Sequence, residues 1–108
     1  ELLERGAERE AKTPKGLTPL MSASIRGHFE CVKELLEGGA ETEAQTNDGR
    51  TSLHYAAEKG HAVCVRELLQ HGADRQAETK DGWNPLLCAA RNGHLPCCKV
   101  FASFGGGY

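Results

Sequence analysis

Shifted by 33 residues, this chain falls onto itself. Gly49 lands on Gly16 and Gly82, the Gly60-His61 pair on Gly27-His28 and Gly93-His94, and Cys64 on Cys31 and Cys97. A period of this length marks a supersecondary unit that cannot bury its apolar face alone and gains stability only by stacking on its neighbours. The 108 residues hold three such units: 13–45, 46–78 and 79–108, the last with an incomplete or modified end. Residues 1–12 match the end of a unit, because Leu2-Leu3 aligns with Leu68-Leu69 and Gly6-Ala7 with Gly72-Ala73. They read as the C-terminal remnant of a preceding repeat.

Each unit spells two short helices. Thr18-Pro19, Thr51 and Asn84-Pro85 are helix starts, since a side-chain oxygen can accept from a free first-turn amide and proline is tolerated at the first helical position. Leu20 and Ala23, then Leu53, Ala56 and Ala57, recur on one face. Gly27, Gly60 and Gly93 supply left-handed stops. A second helix begins near Phe29 and its equivalents, with Val32, Leu35 and Leu36, then Cys64, Val65, Leu68 and Leu69, turned inward. Helices shorter than about 12 residues are marginal alone in water, so packing between units must hold them. The third unit loosens: Phe101-Ala102 replaces the Leu-Leu pair, Phe104 stands where Gly38 and His71 sit, and no polar outer face closes the stack.

LTPLMSASIRGH, TSLHYAAEKGH and NPLLCAARNGH, followed by CVKELLEGGAE, CVRELLQHGAD and CCKVFASFGGG, resemble the ankyrin repeat family. The resemblance implies an all-α fold: an ankyrin-type repeat solenoid of stacked helix-turn-helix units with hairpin-like loops. Met21 and Leu87 stand where the family favours the histidine present at His54, Ser24 replaces the second Ala, and Ser52 replaces Pro. The family uses that histidine to tether a loop, so the first and third loops are expected to lack the bond.

Net charge is −2, which gives no global field toward nucleic acid or an anionic membrane. No apolar run reaches the roughly 18 residues of a membrane span. Five cysteines cannot pair completely. Cys31, Cys64 and Cys97, one per unit on helices about 8–10 Å apart, lie beyond disulfide reach and read as reduced core residues, which points to an intracellular, cytoplasmic or nuclear setting. His28, His61 and His94 form His-x-x-Cys with them. Zinc needs four ligands converging on one ion, whereas these pairs are spread along the stack; the expected roles are bracing of the interhelical turn by His and core filling by Cys. His54, Ser52 and Cys88 could compose a nucleophile and base, but the first two sit at cap and turn positions, and no convergent pocket is spelled. No cofactor, metal or catalytic residue is expected.

Once the inward positions and the turn residues are assigned, three files of equivalent positions remain: Leu17, Arg50 and Trp83; Ser22, Tyr55 and Cys88; Arg26, Lys59 and Asn92. The family resemblance places these on the concave face and loop tips that meet partners. Trp, Tyr and Arg are enriched at interface hot spots. The expected function is therefore a protein-protein interaction module, non-enzymatic, using Leu17, Arg26, Arg50, Tyr55, Lys59, Trp83, Cys88 and Asn92. Trp83 has an equal alternative as a local lid, or as a cation-π partner of Arg50. Two other readings compete: a structural spacer docking on a neighbouring domain through Leu95, Phe101 and Phe104, and, less favoured, a nucleic-acid or small-ligand site at Trp83, Arg50 and Lys59.

Overall fold

A computed structural model describes residues 10–105. Expectations for residues 1–9 and for the terminal 106–108 lie outside the described residues. Six helices follow in order: α1 (Pro19–Arg26), α2 (Phe29–Glu37), α3 (Ser52–Lys59), α4 (Ala62–Gln70), α5 (Pro85–Arg91) and α6 (Leu95–Gly105). They pack as two layers, α1 against α3 against α5 and α2 against α4 against α6, with each pair α1–α2, α3–α4 and α5–α6 joined across the layers. No strand occurs among the described residues.

Local chemistry fixes each boundary. Thr18 Oγ1 accepts from Met21 N–H at 3.3 Å and Asn84 Oδ1 accepts from Leu87 N–H at 2.8 Å, satisfying amides that the first turn leaves free. At the other end Gly27 and Gly60 adopt φ 72° and 81°. That conformation carries the next amide back into the helix: His28 N–H reaches Ala23 O at 3.0 Å and His61 N–H reaches Ala56 O at 2.9 Å. Helix α6 runs longer than α2 and α4 because Phe104 occupies the position at which Gly38 and His71 end the earlier helices.

The loops repeat as closely as the helices. In each, a threonine opens a tight turn: Gly16, Gly49 and Gly82 N–H donate to Thr13, Thr46 and Thr79 O at 2.8 to 3.0 Å. The same threonines accept through Oγ1 from Leu17, Arg50 and Trp83 N–H at 3.1 to 3.2 Å. Successive loops bond to each other, Asn47 N–H to Lys15 O at 3.3 Å and Lys80 N–H to Asp48 O at 3.1 Å. On the opposite side Glu10 and Glu43 carboxylates accept from Glu41 and Asp74 N–H. The stack is therefore joined along both edges as well as through its core.

Leu20, Val32, Leu36, Leu53, Val65, Leu68 and Phe101 are fully or almost fully buried, and Ala56 and Ala57 bring the layers close. Two expectations need correction. Cys31 is exposed whereas Cys64 and Cys97 are buried, because each of the latter faces the second helix of the unit before it and no described helix covers Cys31. Phe101, expected near an apolar boundary, is wholly buried; Arg75 caps it, with Nη1 donating to Phe101 O at 2.9 Å and the guanidinium 5.6 Å from its ring.

Candidate partner-binding face

The histidine expected to tether a loop does so across the boundary between units. Thr51 N–H lies 3.1 Å from His54 Nδ1 and can only donate, so Nδ1 accepts and the ring proton sits on Nε2. Nε2 then donates to the Trp83 carbonyl at 2.8 Å. Burial pushes the His54 pKa down, opposed by this bond to Trp83 and reinforced by the nearby Arg50 charge. Both ring nitrogens are occupied, which leaves His54 no lone pair to act as a base. Ser52 and Cys88 are also buried.

Met21 occupies the equivalent place in the first unit and keeps half the arrangement. Its Sδ accepts from Thr18 N–H at 3.5 Å, while a thioether has no donor for the next loop. Leu87, in the third unit, is exposed. Ser24 explains itself: its hydroxyl donates to Leu20 O at 2.7 Å within the core.

Two of the histidines of the Gly-His pairs, His61 and His94, reach across a unit boundary, where bracing of their own turn was expected; His28 is exposed. His61 Nε2 meets Ile25 O at 3.0 Å, and its ring lies over Gly27 so closely that a Cβ there would come within 2.5 Å of Nδ1. His94 covers Gly60 in the same way, at 2.7 Å. His61 is so engaged and Cys64 lies in the core, whereas His28 and Cys31 are both exposed. No cluster of three metal-ligating side chains is found among the described residues.

Of the candidate contact residues, Arg26, Lys59 and Asn92 are exposed, and Leu17, Arg50, Tyr55 and Trp83 are half-buried. Cys88 is not available: it is only 3% exposed. Burial raises its pKa, opposed by the Arg50 and Arg91 charges and reinforced by Glu58. Asn92 spends its amide on the helix end, donating to Cys88 O at 2.9 Å.

A loop-to-helix clasp recurs in different chemistry. In the second unit Arg50 pairs with Glu58 and, through Nε at 3.5 Å, with Asp48, and its guanidinium lies 5.6 Å from the Tyr55 ring. Asp48 is held in turn by the Thr46 hydroxyl, which lowers its pKa, against a smaller opposing effect of burial. Thirty-three residues on, Trp83 replaces Arg50 and Arg91 replaces Glu58, and the guanidinium stands 4.7 Å from the indole. Trp83 therefore partners Arg91, and Arg50 partners Tyr55, in place of the expected Arg50–Trp83 contact. The period pairs Glu58 with Arg91 and Ile25, a file that is not among the contact positions expected from the sequence. Between the first two loops lies a cleft of about 230 Å³ lined by Lys15, Thr46, Asn47, Asp48 and Tyr55.

Two antiparallel helices per unit, hairpin-like loops bonded in file and one layer of first helices left uncovered define a helical repeat solenoid. The family model for ankyrin repeats, in three copies, matches residues 1–79 and 35–106. The chain belongs to the ankyrin repeat family. No curated protein matches it. Ankyrin repeats generally serve as protein-protein interaction modules and are typically non-catalytic. No helix among the described residues is long and apolar enough to cross a membrane.

Proposed function

We propose that this chain is an adaptor or scaffold module inside the cell, binding a partner protein through the first-helix layer and loop tips of units 13–45, 46–78 and 79–108. The observation that carries the reading is the half-buried aromatic set, Tyr55 beside Arg50 and Trp83 beside Arg91. Such side chains present large rigid area whose burial is already partly complete, which lowers the entropy lost on docking. Exposed Arg26, Lys59 and Asn92 supply a polar margin, with Leu17 at the first loop tip. Cys88 supports the face from beneath.

A photo-crosslinking residue placed at Tyr55, compared with one at exposed Glu34 on α2, tests this in lysate. Adducts concentrated at position 55 are expected. Adducts at position 34 alone would overturn the assignment of the face. A second reading, end-on docking of a neighbouring domain as a spacer, draws on the exposure of Leu86, Leu87, Leu95 and Phe104 at the third unit; it predicts adducts at Leu87 and none at Tyr55.

A further inference from the structure

In the second unit a guanidinium, an aromatic ring and two carboxylates meet within the chain. Arg50 lies 5.6 Å from the Tyr55 ring, and Glu58 and Asp48 both pair with it. One period on, the third unit rebuilds the contact of ring and guanidinium with the ring on the loop, at Trp83, and the cation on the helix, at Arg91. It does not rebuild the carboxylate. The Arg91 side chain has neither an ion pair nor a hydrogen-bond acceptor among the described residues.

The platform under this cation is fixed. Trp83 N–H donates to Thr79 Oγ1 at 3.2 Å, and the Trp83 carbonyl accepts from Thr79 N–H at 2.9 Å and from His54 Nε2 at 2.8 Å. Arg91 itself is exposed in the last turn of α5, its guanidinium carbon 4.7 Å from the indole centroid. Offsetting the helix macrodipole accounts for a cation in that turn, but not for the indole under it. A guanidinium already held on a ring has less rotamer freedom to lose on binding, and its planar fork matches a carboxylate with two parallel N–H bonds.

The surrounding charge favours an acidic visitor. Loops and first helices, residues 13–27, 46–60 and 79–93, carry six cations against three carboxylates, Asp48, Glu58 and Asp81, and two of those three are spent on Arg50. The remaining residues carry seven cations against twelve carboxylates, so an acidic segment is steered toward the first-helix side. A phosphate fits less well. At a charge of about −1.5 to −2 it calls for a second cation, and Arg50, which acts with Arg91 on the Cys88 thiol, is already paired. We propose that Arg91, held on Trp83, anchors a single Asp or Glu carboxylate of an acidic segment of the partner protein, completing in the third unit the arrangement that Glu58 and Asp48 complete in the second.

This proposal rests on the concave-face reading, and its test separates the two. The whole chain is titrated at low salt with blocked tetraglutamate, with tetraglutamine, and with a charge-matched tetrapeptide of two phosphoserines and two glycines. The indole N–H signal of Trp83, the sole tryptophan, is followed by NMR together with the backbone amides. Tetraglutamate should move the indole signal to saturation, and tetraglutamine should leave it in place. Arg91→Gln should weaken tetraglutamate binding about tenfold, and Arg91→Lys, which keeps the helix-end charge but lacks the planar fork, about fivefold. Lys59→Gln removes a cation that has no ring contact among the described residues, and should weaken binding less than about twofold. Circular dichroism melts check the fold; if Arg91→Gln lowers the melt, Arg91→Lys carries the test. Equal responses to tetraglutamate and tetraglutamine, tighter binding of the phosphoserine peptide, or binding undiminished in the Arg91 variants overturns the proposal. Crosslinks at Tyr55 to a partner captured equally well by Arg91→Gln would sink the carboxylate anchor and leave the face standing; crosslinks confined to position 34 would sink the face itself.

Discussion

Leu53 and Leu86 occupy one register of successive units, yet the first is wholly buried and the second is 38% exposed. Their surroundings differ in parallel. A Cβ on Gly27 or Gly60 would strike the histidine of the next unit, and one on Gly16 or Gly49 would press on the next loop; Gly82 and Gly93 have nothing within 4 Å. The same residues thus form a filled joint in the first two units and an open socket in the third. A repeat encodes half of each interface, and its energetic value depends on whether the other half is present.

The largest contrast should come from the leucines. Leu53→Ala removes a fully buried side chain from a joint held on both sides and should cost about 3 kcal/mol. Leu86→Ala removes one that is already partly in water and should cost about 1 kcal/mol. Urea unfolding midpoints measure both, and equal losses would mean that the open side of the third unit does not weaken its packing.

Gly27→Ala should follow, at about 2–3 kcal/mol: left-handed strain of about 1 kcal/mol, plus displacement of the His61 ring from Ile25 O. Gly93→Ala, at nearly the same φ, should show the strain alone. Adding His61→Ala to Gly27→Ala isolates the joint. In that background the glycine substitution should cost no more than it does at position 93.

This contrast also explains what could be read from the chain alone. The period, the caps at Thr18 and Asn84 and the stops at Gly27 and Gly60 are local chemistry, each set by a few adjacent residues, and all were legible. Interactions between units were not. His61 looked like a brace for its own turn because its partner, the Ile25 carbonyl, is a backbone atom that no side-chain pattern marks. Cys88 reads as a surface residue because its file begins with Ser22 and Tyr55, and register alone does not reveal that this position is buried in the third unit. Cys31 erred in the opposite direction: its file is core wherever a preceding helix covers it. Pairing positions 50 with 58 and 83 with 91 was possible in principle, since opposite or cation-π chemistry recurs at both.

His54 joins the second unit to the third, and the equivalent Met21 joins nothing by side-chain hydrogen bond. His54→Met should keep the local cap and lose the tether to Trp83 O, at about 2 kcal/mol. The substitution should also change the response to pH. Burial holds the folded-state pKa of His54 below its ordinary 6.5, so on acidification the unfolded chain takes up the proton first. The contribution of neutral His54 is complete above pH 6.5 and is lost as pH falls below that value toward the folded pKa. Between pH 7 and pH 5, His54→Met should therefore flatten the decline in stability. An unchanged slope would mean that protons bind elsewhere.

The smallest effects belong to the clasps, where the comparison between a covered and an open unit becomes one of function. Arg50→Ala leaves Glu58 without its cation, but the pair is partly solvated and should contribute only about 0.5 kcal/mol. Arg91→Ala strips the cation from Trp83 at a cost of about 0.5 kcal/mol, with a change in indole emission as the sensitive readout. If the clasps only brace loops, both substitutions should alter partner crosslinking at Tyr55 equally, because each loosens one loop tip. If the face reads charge, Arg91→Ala should weaken it more, because Arg50 is already neutralised by Glu58 and Asp48 whereas Arg91 has no ion pair among the described residues.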